Sequence, residues 1–206
     1  MIKIFKTKLK SLLLVKPNIY KDKRGLFFET YRKSKYQYLL NKINNKSFIQ
    51  DNFSFSKKNS LRGLHYSKIM AKLFTVIYGS VYDVCVDLNE ESKTYLKWEG
   101  RILSSKNYKQ LWIPPGFAHG FLVLSAFACV QYKCSKEYSL SLEKDIIWND
   151  KDLNIKWPIK KPILSKKDKD DDIVKECRGL VLDKTDFSLV AIAFGRFFNF
   201  VRLSKL

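Results

Sequence analysis

Lys72-Leu73-Phe74-Thr75-Val76-Ile77-Tyr78-Gly79-Ser80-Val81-Tyr82-Asp83-Val84-Cys85-Val86-Asp87-Leu88 is the run whose reading decides the fold. It is dense in β-branched and aromatic residues and is broken once, at Gly79-Ser80. Beyond the break, Asp83 and Asp87 alternate with Tyr82, Val84 and Val86. Residues two apart on a strand share a face, so the run predicts a hairpin of two antiparallel strands, 72–78 and 81–88.

The same period recurs on both sides. Upstream, residues 48–56 set Phe48, Gln50, Asn52, Ser54 and Ser56 against Ile49, Asp51, Phe53 and Phe55, a strand with one polar face. Downstream, 96–103, 109–113, 121–124 and 128–133 read as strands. They are divided by turn signals at 89–93, 104–107, Pro114-Pro115-Gly116 and Ser125-Ala126. Residues 1–16 supply an outer strand, and Lys21-Asp22-Lys23-Arg24-Gly25 turns into a strand over 26–31. Over 33–45, Tyr36, Leu39, Leu40 and Ile43 fall at helical spacing and predict one short amphipathic helix. Short strands at regular intervals predict an all-β, antiparallel jelly-roll barrel with a few short peripheral helices.

Composition narrows the function classes. With 46% hydrophobic and 15% aromatic residues in 206, the chain can bury a sizeable core and is not disordered. The formal charge of +19 is mostly lysine spread along the chain, and no nucleic-acid-binding motif accompanies it, so no nucleic-acid partner is expected. The four cysteines include no C-x-x-C pair and read as free thiols of a reducing compartment. No long apolar segment follows the N-terminal lysines, and a cytoplasmic protein is expected. The chain divides into one domain, 1–180, and an apolar tail, 181–206. In the tail Gly195, Arg196, Asn199 and Arg202 interrupt the apolar run, which falls short of the ~20 residues of a membrane span. Docking of the tail on protein is expected ahead of membrane contact.

The chain has two histidines. His65 lies in Ser60-Leu61-Arg62-Gly63-Leu64-His65-Tyr66, and His119 lies in Trp112-Ile113-Pro114-Pro115-Gly116-Phe117-Ala118-His119-Gly120-Phe121. Each stands beside a glycine between strand-like runs, and Arg62, one of seven arginines, adds a rigid fork suited to phosphate. In a closed barrel, alternate residues of facing strands point into one cavity, which would bring His65, Lys72, Asp83, His119 and Tyr132 together. Without a His-x-His cluster, no metal site is expected.

Several ordered motifs then resemble one family. They are Asp22-x-Arg24-Gly25-x-Phe27-x-Glu29, Gln50-Asp51-Asn52-x-Ser54-x-Ser56, Arg62-Gly63-Leu64-His65-Tyr66, Asp83-Val84-x-Val86-Asp87, the run 115–121, Trp148-Asn149-Asp150 and Leu164-Ser165-x-Lys167-Asp168. Over roughly residues 15–168 the chain is similar to the dTDP-4-dehydrorhamnose 3,5-epimerases, jelly-roll (cupin-like) enzymes of sugar-nucleotide metabolism. The resemblance implies a cofactor-independent epimerase acting at C3 and C5 of a dTDP-linked 4-keto-6-deoxy sugar. In it His65 is the base, Asp168 its carboxylate partner, Lys72 the group that steadies the enolate, and Tyr132 the acid on the opposite face. It also implies that Arg24, Glu29, Gln50, Asn52, Arg62, His119 and Tyr138 bind the nucleotide sugar, and that the protein is a homodimer whose N-terminal residues 2–28 cross the interface. Three departures stand out: Ser67 replaces the usual Gln, the loop from His65 to Lys72 is shortened, and Glu137 replaces an aromatic. The short loop resembles GDP-linked deoxyheptose epimerases and keeps a GDP-linked sugar open, alongside a non-catalytic sugar-nucleotide-binding module.

Overall fold

The structure, a computed structural model, describes residues 2–140 and 143–169. The apolar tail, 181–206, lies outside the described residues. In chain order the strands are β1 (Lys3–Lys6), β2 (Leu13–Lys16), β3 (Tyr20–Asp22), β4 (Gly25–Phe27), β5 (Gln50–Lys57), β6 (Leu61–Ser67) and β7 (Lys72–Tyr78). There follow β8 (Ser80–Asp87), β9 (Trp98–Ser104), β10 (Gln110–Ile113), β11 (Phe117–Val123), β12 (Phe127–Cys134) and β13 (Lys144–Asp145). They form an antiparallel sandwich. One sheet runs β1-β2-β10-β7-β12-β5, the facing one runs β13-β6-β11-β8-β9, and β3-β4 is a separate two-stranded hairpin.

Apolar residues fill three layers. Between the sheets, Leu14, Phe74, Val76, Val81, Leu103, Val123 and Val130 make the central core. Outside the five-stranded sheet, Ile146, Leu153, Ile155 and Trp157 cover Leu64, Val84, Val86 and Ala118. Outside the six-stranded sheet, Tyr36, Leu39, Leu40 and Ile43 cover Leu13, Val15, Leu73 and Trp112. Central strands are thus buried on both faces, as β11 is along its whole length.

This layering reverses the usual meaning of the alternation. Asp83 and Asp87, the acidic members of β8, are buried, with Asp83 pointing between the sheets, while Val84 and Val86 pack beneath the outer layer. On β5 the polar residues Gln50, Asn52, Ser54 and Ser56 are the shielded ones, whereas Phe53 and Phe55 are 68% and 58% exposed. A sandwich that lines its cavity with polar groups must take them from the face that would otherwise hold core residues.

Two expected elements are shorter than predicted. The helix expected over 33–45 is a 3-10 turn, Lys33–Tyr36, followed by one α-helical turn, α1 (Gln37–Leu40). Beyond α1 the chain continues in i→i−3 bonds, Lys42 N–H to Leu39 O and Ile43 N–H to Leu40 O, so all four apolar residues still reach the sheet. The strand expected over 26–31 ends at Phe27. The strand expected at 121–124 begins instead at Phe117, which places His119 within β11.

Candidate active site

Each histidine has a glycine beside it because β6 and β11 approach closely. A Cβ on Gly63 would lie 2.6 Å from the His119 carbonyl oxygen, and one on Gly120 would lie 2.8 Å from that of Arg62. Gly63 also has φ +108°, a conformation that side chains disfavour. The register shifts between His119 and Phe121, a bulge of the kind that re-aims neighbouring side chains. His65 and His119 are directly paired across this irregularity.

The cavity lies between the sheets as two joined chambers of about 310 and 320 Å³. Asn52, Arg62, His65, Lys72 and Tyr132 line both. His65 comes from β6 of the five-stranded sheet, and Lys72 and Tyr132 come from β7 and β12 of the six-stranded one. The imidazole and the phenol therefore face the same space from opposite walls. Deeper in, His119 Nε2 lies 2.8 Å from Asp83 Oδ2, with the Phe74 ring edge-on to His119 and stacked on Tyr132. His119 thereby forms part of the second chamber's lining.

Asp168 reaches His65 because the chain returns beside β6: Leu61 N–H donates to Ile163 O, and Ile163 N–H donates to Asn59 O. His65 Nε2 lies 3.1 Å from Asp168 Oδ1, while Ser165 Oγ donates to Asp168 Oδ2 at 2.7 Å. Burial pushes the Asp168 carboxyl up, but the hydrogen bonds from His65 and Ser165 outweigh it and hold the group at about 2. It is a carboxylate at neutral pH. Burial likewise pushes the Tyr132 phenol up, aided by Cys134 and Glu143 and opposed by Arg62, so the phenol keeps its proton. Burial also raises the neighbouring Cys134 thiol to about 11, which leaves it an unreactive part of the wall.

The other expected residues divide into two groups. Gln50, Asn52, Arg62 and Tyr138 line the first chamber with His65. Gln50 accepts from Tyr138 N–H at 2.7 Å and donates to Asn52 Oδ1 at 2.9 Å, which fixes the mouth. Arg62 Nε donates to Ser56 Oγ at 2.9 Å. Arg24 and Glu29 are not brought to this cavity within the chain. Arg24 sits at the tip of the β3-β4 hairpin, paired with Asp22, and Glu29 is held by Arg32 and Lys35 near Tyr36.

Sequence reasoning gave no role to Glu143, Asp145 and Lys167, which the structure places beside the dyad. Lys167 Nζ lies 2.6 Å from Asp145 Oδ2 and 3.8 Å from Glu143 Oε2, and Glu143 Oε1 lies 3.6 Å from Lys72 Nζ. The local signals were the i, i+2 spacing of Glu143 and Asp145 and the place of Lys167 in the Leu164-Ser165-x-Lys167-Asp168 motif. Among the described residues one trio has metal-ligand atoms within 4.8 Å of one another, Asp83, Cys85 and His119, all buried. Two of these three are already joined by the imidazole–carboxylate hydrogen bond.

A jelly-roll sandwich holding an imidazole–carboxylate dyad, a lysine and a protonated phenol around one polar cavity is built for proton transfer at carbon. Comparison with known proteins narrows that class. Residues 6–176 match the family model for dTDP-4-dehydrorhamnose 3,5-epimerase. The chain is 44% identical over 172 residues to the enzyme of that name from Salmonella typhimurium, covering 82% of this chain and 93% of the relative. It superposes with a TM-score of 0.79 and 42% identity on the Legionella pneumophila dTDP-6-deoxy-D-glucose-3,5-epimerase solved with dTDP-4-keto-L-rhamnose, covering 85% of this chain and 94% of that one. The Bacillus anthracis dTDP-4-dehydrorhamnose 3,5-epimerase, solved with TDP and pyrophosphate, gives 0.78 at 40% identity, covering 84% and 99%. The chain belongs to the dTDP-4-dehydrorhamnose 3,5-epimerase family.

Proposed function

We propose that the protein epimerises a dTDP-linked 4-keto-6-deoxy sugar at C3 and C5, converting dTDP-4-dehydro-6-deoxy-glucose to dTDP-4-dehydrorhamnose. The observation that carries this reading is the placement of His65 and Tyr132 on opposite walls of one cavity, with Lys72 between the same walls. A C–H beside a ketone becomes acidic when the enolate is stabilised, and inversion needs a proton donor on the face opposite the base. With its Nε2 engaged by Asp168, His65 can take the carbon-bound proton at Nδ1. Asp168 then offsets the imidazolium charge. Lys72 steadies the enolate oxygen, and Tyr132 returns a proton to the other face. Each step is a proton transfer, so the chemistry needs no redox cofactor. The other outer residues follow from the mouth of the cavity, with Arg62 toward the phosphates and Tyr138, Gln50 and Asn52 toward the nucleoside.

The same reading includes a homodimer. The β3-β4 hairpin is exposed throughout and carries Tyr20, Leu26 and Phe27 in the open. A hairpin of this kind is completed by a second surface, and a partner's cavity is the surface that would give Arg24 and Glu29 a substrate to bind. Side-by-side turnover of the dTDP- and GDP-linked 4-keto sugars tests the substrate assignment. The dTDP form should be preferred by at least about tenfold in kcat/KM, a factor equal to about 1.4 kcal/mol. Preference for the GDP form would overturn the nucleotide, and no turnover of either would overturn the function.

A further inference from the structure

We propose that Asp145 is a second carboxylate partner of His65, a positioning residue that shares the charge of the imidazolium with Asp168. The proposal rests on the reading of His65 as the base. Strand β13 pairs with β6 so that Asp145 stands directly opposite His65. Its Oδ1 lies 3.7 Å from His65 Nε2, the same ring nitrogen that Asp168 Oδ1 approaches at 3.1 Å. Lys167 takes the other oxygen, Oδ2, at 2.6 Å and so holds the carboxylate with Oδ1 toward the ring. The Asp145 side chain is 15% exposed, so water screens this attraction only in part.

The arrangement extends beyond the pair. His65, Asp145, Lys167, Glu143 and Lys72 follow one another with alternating sign, joining the base to the lysine across the cavity. The other ionisable groups lining the cavity with His65 are Asp168, Arg62, Tyr132, Cys134 and Tyr138, and His119, its cross-strand neighbour, which is bonded to Asp83. Within this set Asp145 favours the protonated ring, and Lys167 moderates that effect by neutralising Asp145. Removing Asp145 and removing Lys167 should therefore act on His65 in opposite directions. A purely structural role for either residue gives no such sign reversal.

The test exploits the presence of only two histidines, whose ring resonances can be followed separately by 15N NMR. In Asp145→Asn the His65 ring should titrate about 0.5–1 pH unit lower than in the unaltered protein, and in Lys167→Met it should titrate higher by a similar amount. His119 should be unmoved in both, and Asp145→Glu should restore the original midpoint. The acid limb of kcat/KM should move down with the ring in Asp145→Asn. Unchanged midpoints, or shifts of the same sign in both variants, would overturn the proposal. The ring titration needs no substrate, so it separates the two readings: opposite shifts without sugar turnover would keep the positioning role and sink the function, and turnover without shifts would do the reverse.

Discussion

At the scale of the residue, Asp168 links stability to the site. Its carboxyl is lowered from 3.8 to about 2, so it stabilises the folded state fully above the unfolded value and loses that contribution as pH falls through the folded one. The difference corresponds to about 2 kcal/mol, since one pH unit is ~1.4 kcal/mol. In urea unfolding, the gap between the unaltered protein and Asp168→Asn should be full at pH 6 and should close as pH drops from about 4 toward 2. A gap independent of pH would show that the carboxylate charge is not what Asp168 contributes. His65→Ala should lower kcat by at least about 10²-fold, measured with the dTDP sugar. Most of these residues were legible because each stands in a short motif. Glu143 and Asp145 were not, because their meaning depends on the pairing of the two-residue strand β13 with β6, and a strand that short has no period to read; Lys167 stands in the Leu164–Asp168 motif, but its ion pair with Asp145 depends on that same strand.

At the scale of the element, the strands were legible and their facing was not. Alternation on β5 and β8 marks two faces, but which one points inward depends on whether the sandwich encloses a polar cavity, and only Gln50, Asn52 and Asp83 in place show that it does. The helix over 33–45 was right about its apolar residues and wrong about its length. It has no side-chain cap at its start, and packing on the sheet holds its turns where propensity would not. One contact secures it: Tyr36 Oη donates to Gln110 Oε1 at 2.6 Å, while Gln110 Nε2 donates to Thr75 Oγ1 at 2.9 Å and to Thr30 O at 2.7 Å. Tyr36→Phe leaves a buried amide oxygen without its donor. It should lower stability by about 1–3 kcal/mol in denaturant unfolding. Because Tyr36 lies outside the cavity, KM should not change, and a raised KM would show that the outer layer shapes the site.

At the scale of the whole molecule, the proposed homodimer makes a prediction about Arg24, which within one chain is paired with Asp22 away from the cavity. If the β3-β4 hairpin serves the partner, mixing His65→Ala with Arg24→Ala chains creates one intact cavity in each mixed dimer, and activity should rise above that of either variant alone. No gain on mixing would place Arg24 outside the partner's site. The central claim is that the proton leaves to one wall of the sandwich and returns from the other. Solvent deuterium incorporation into the dTDP sugar, followed at C3 and C5 in Tyr132→Phe, tests it most directly. Exchange should persist there while the inverted product falls by about 10²-fold or more, and exchange should vanish in His65→Ala. Retention of inversion in Tyr132→Phe, or of exchange in His65→Ala, would contradict the account.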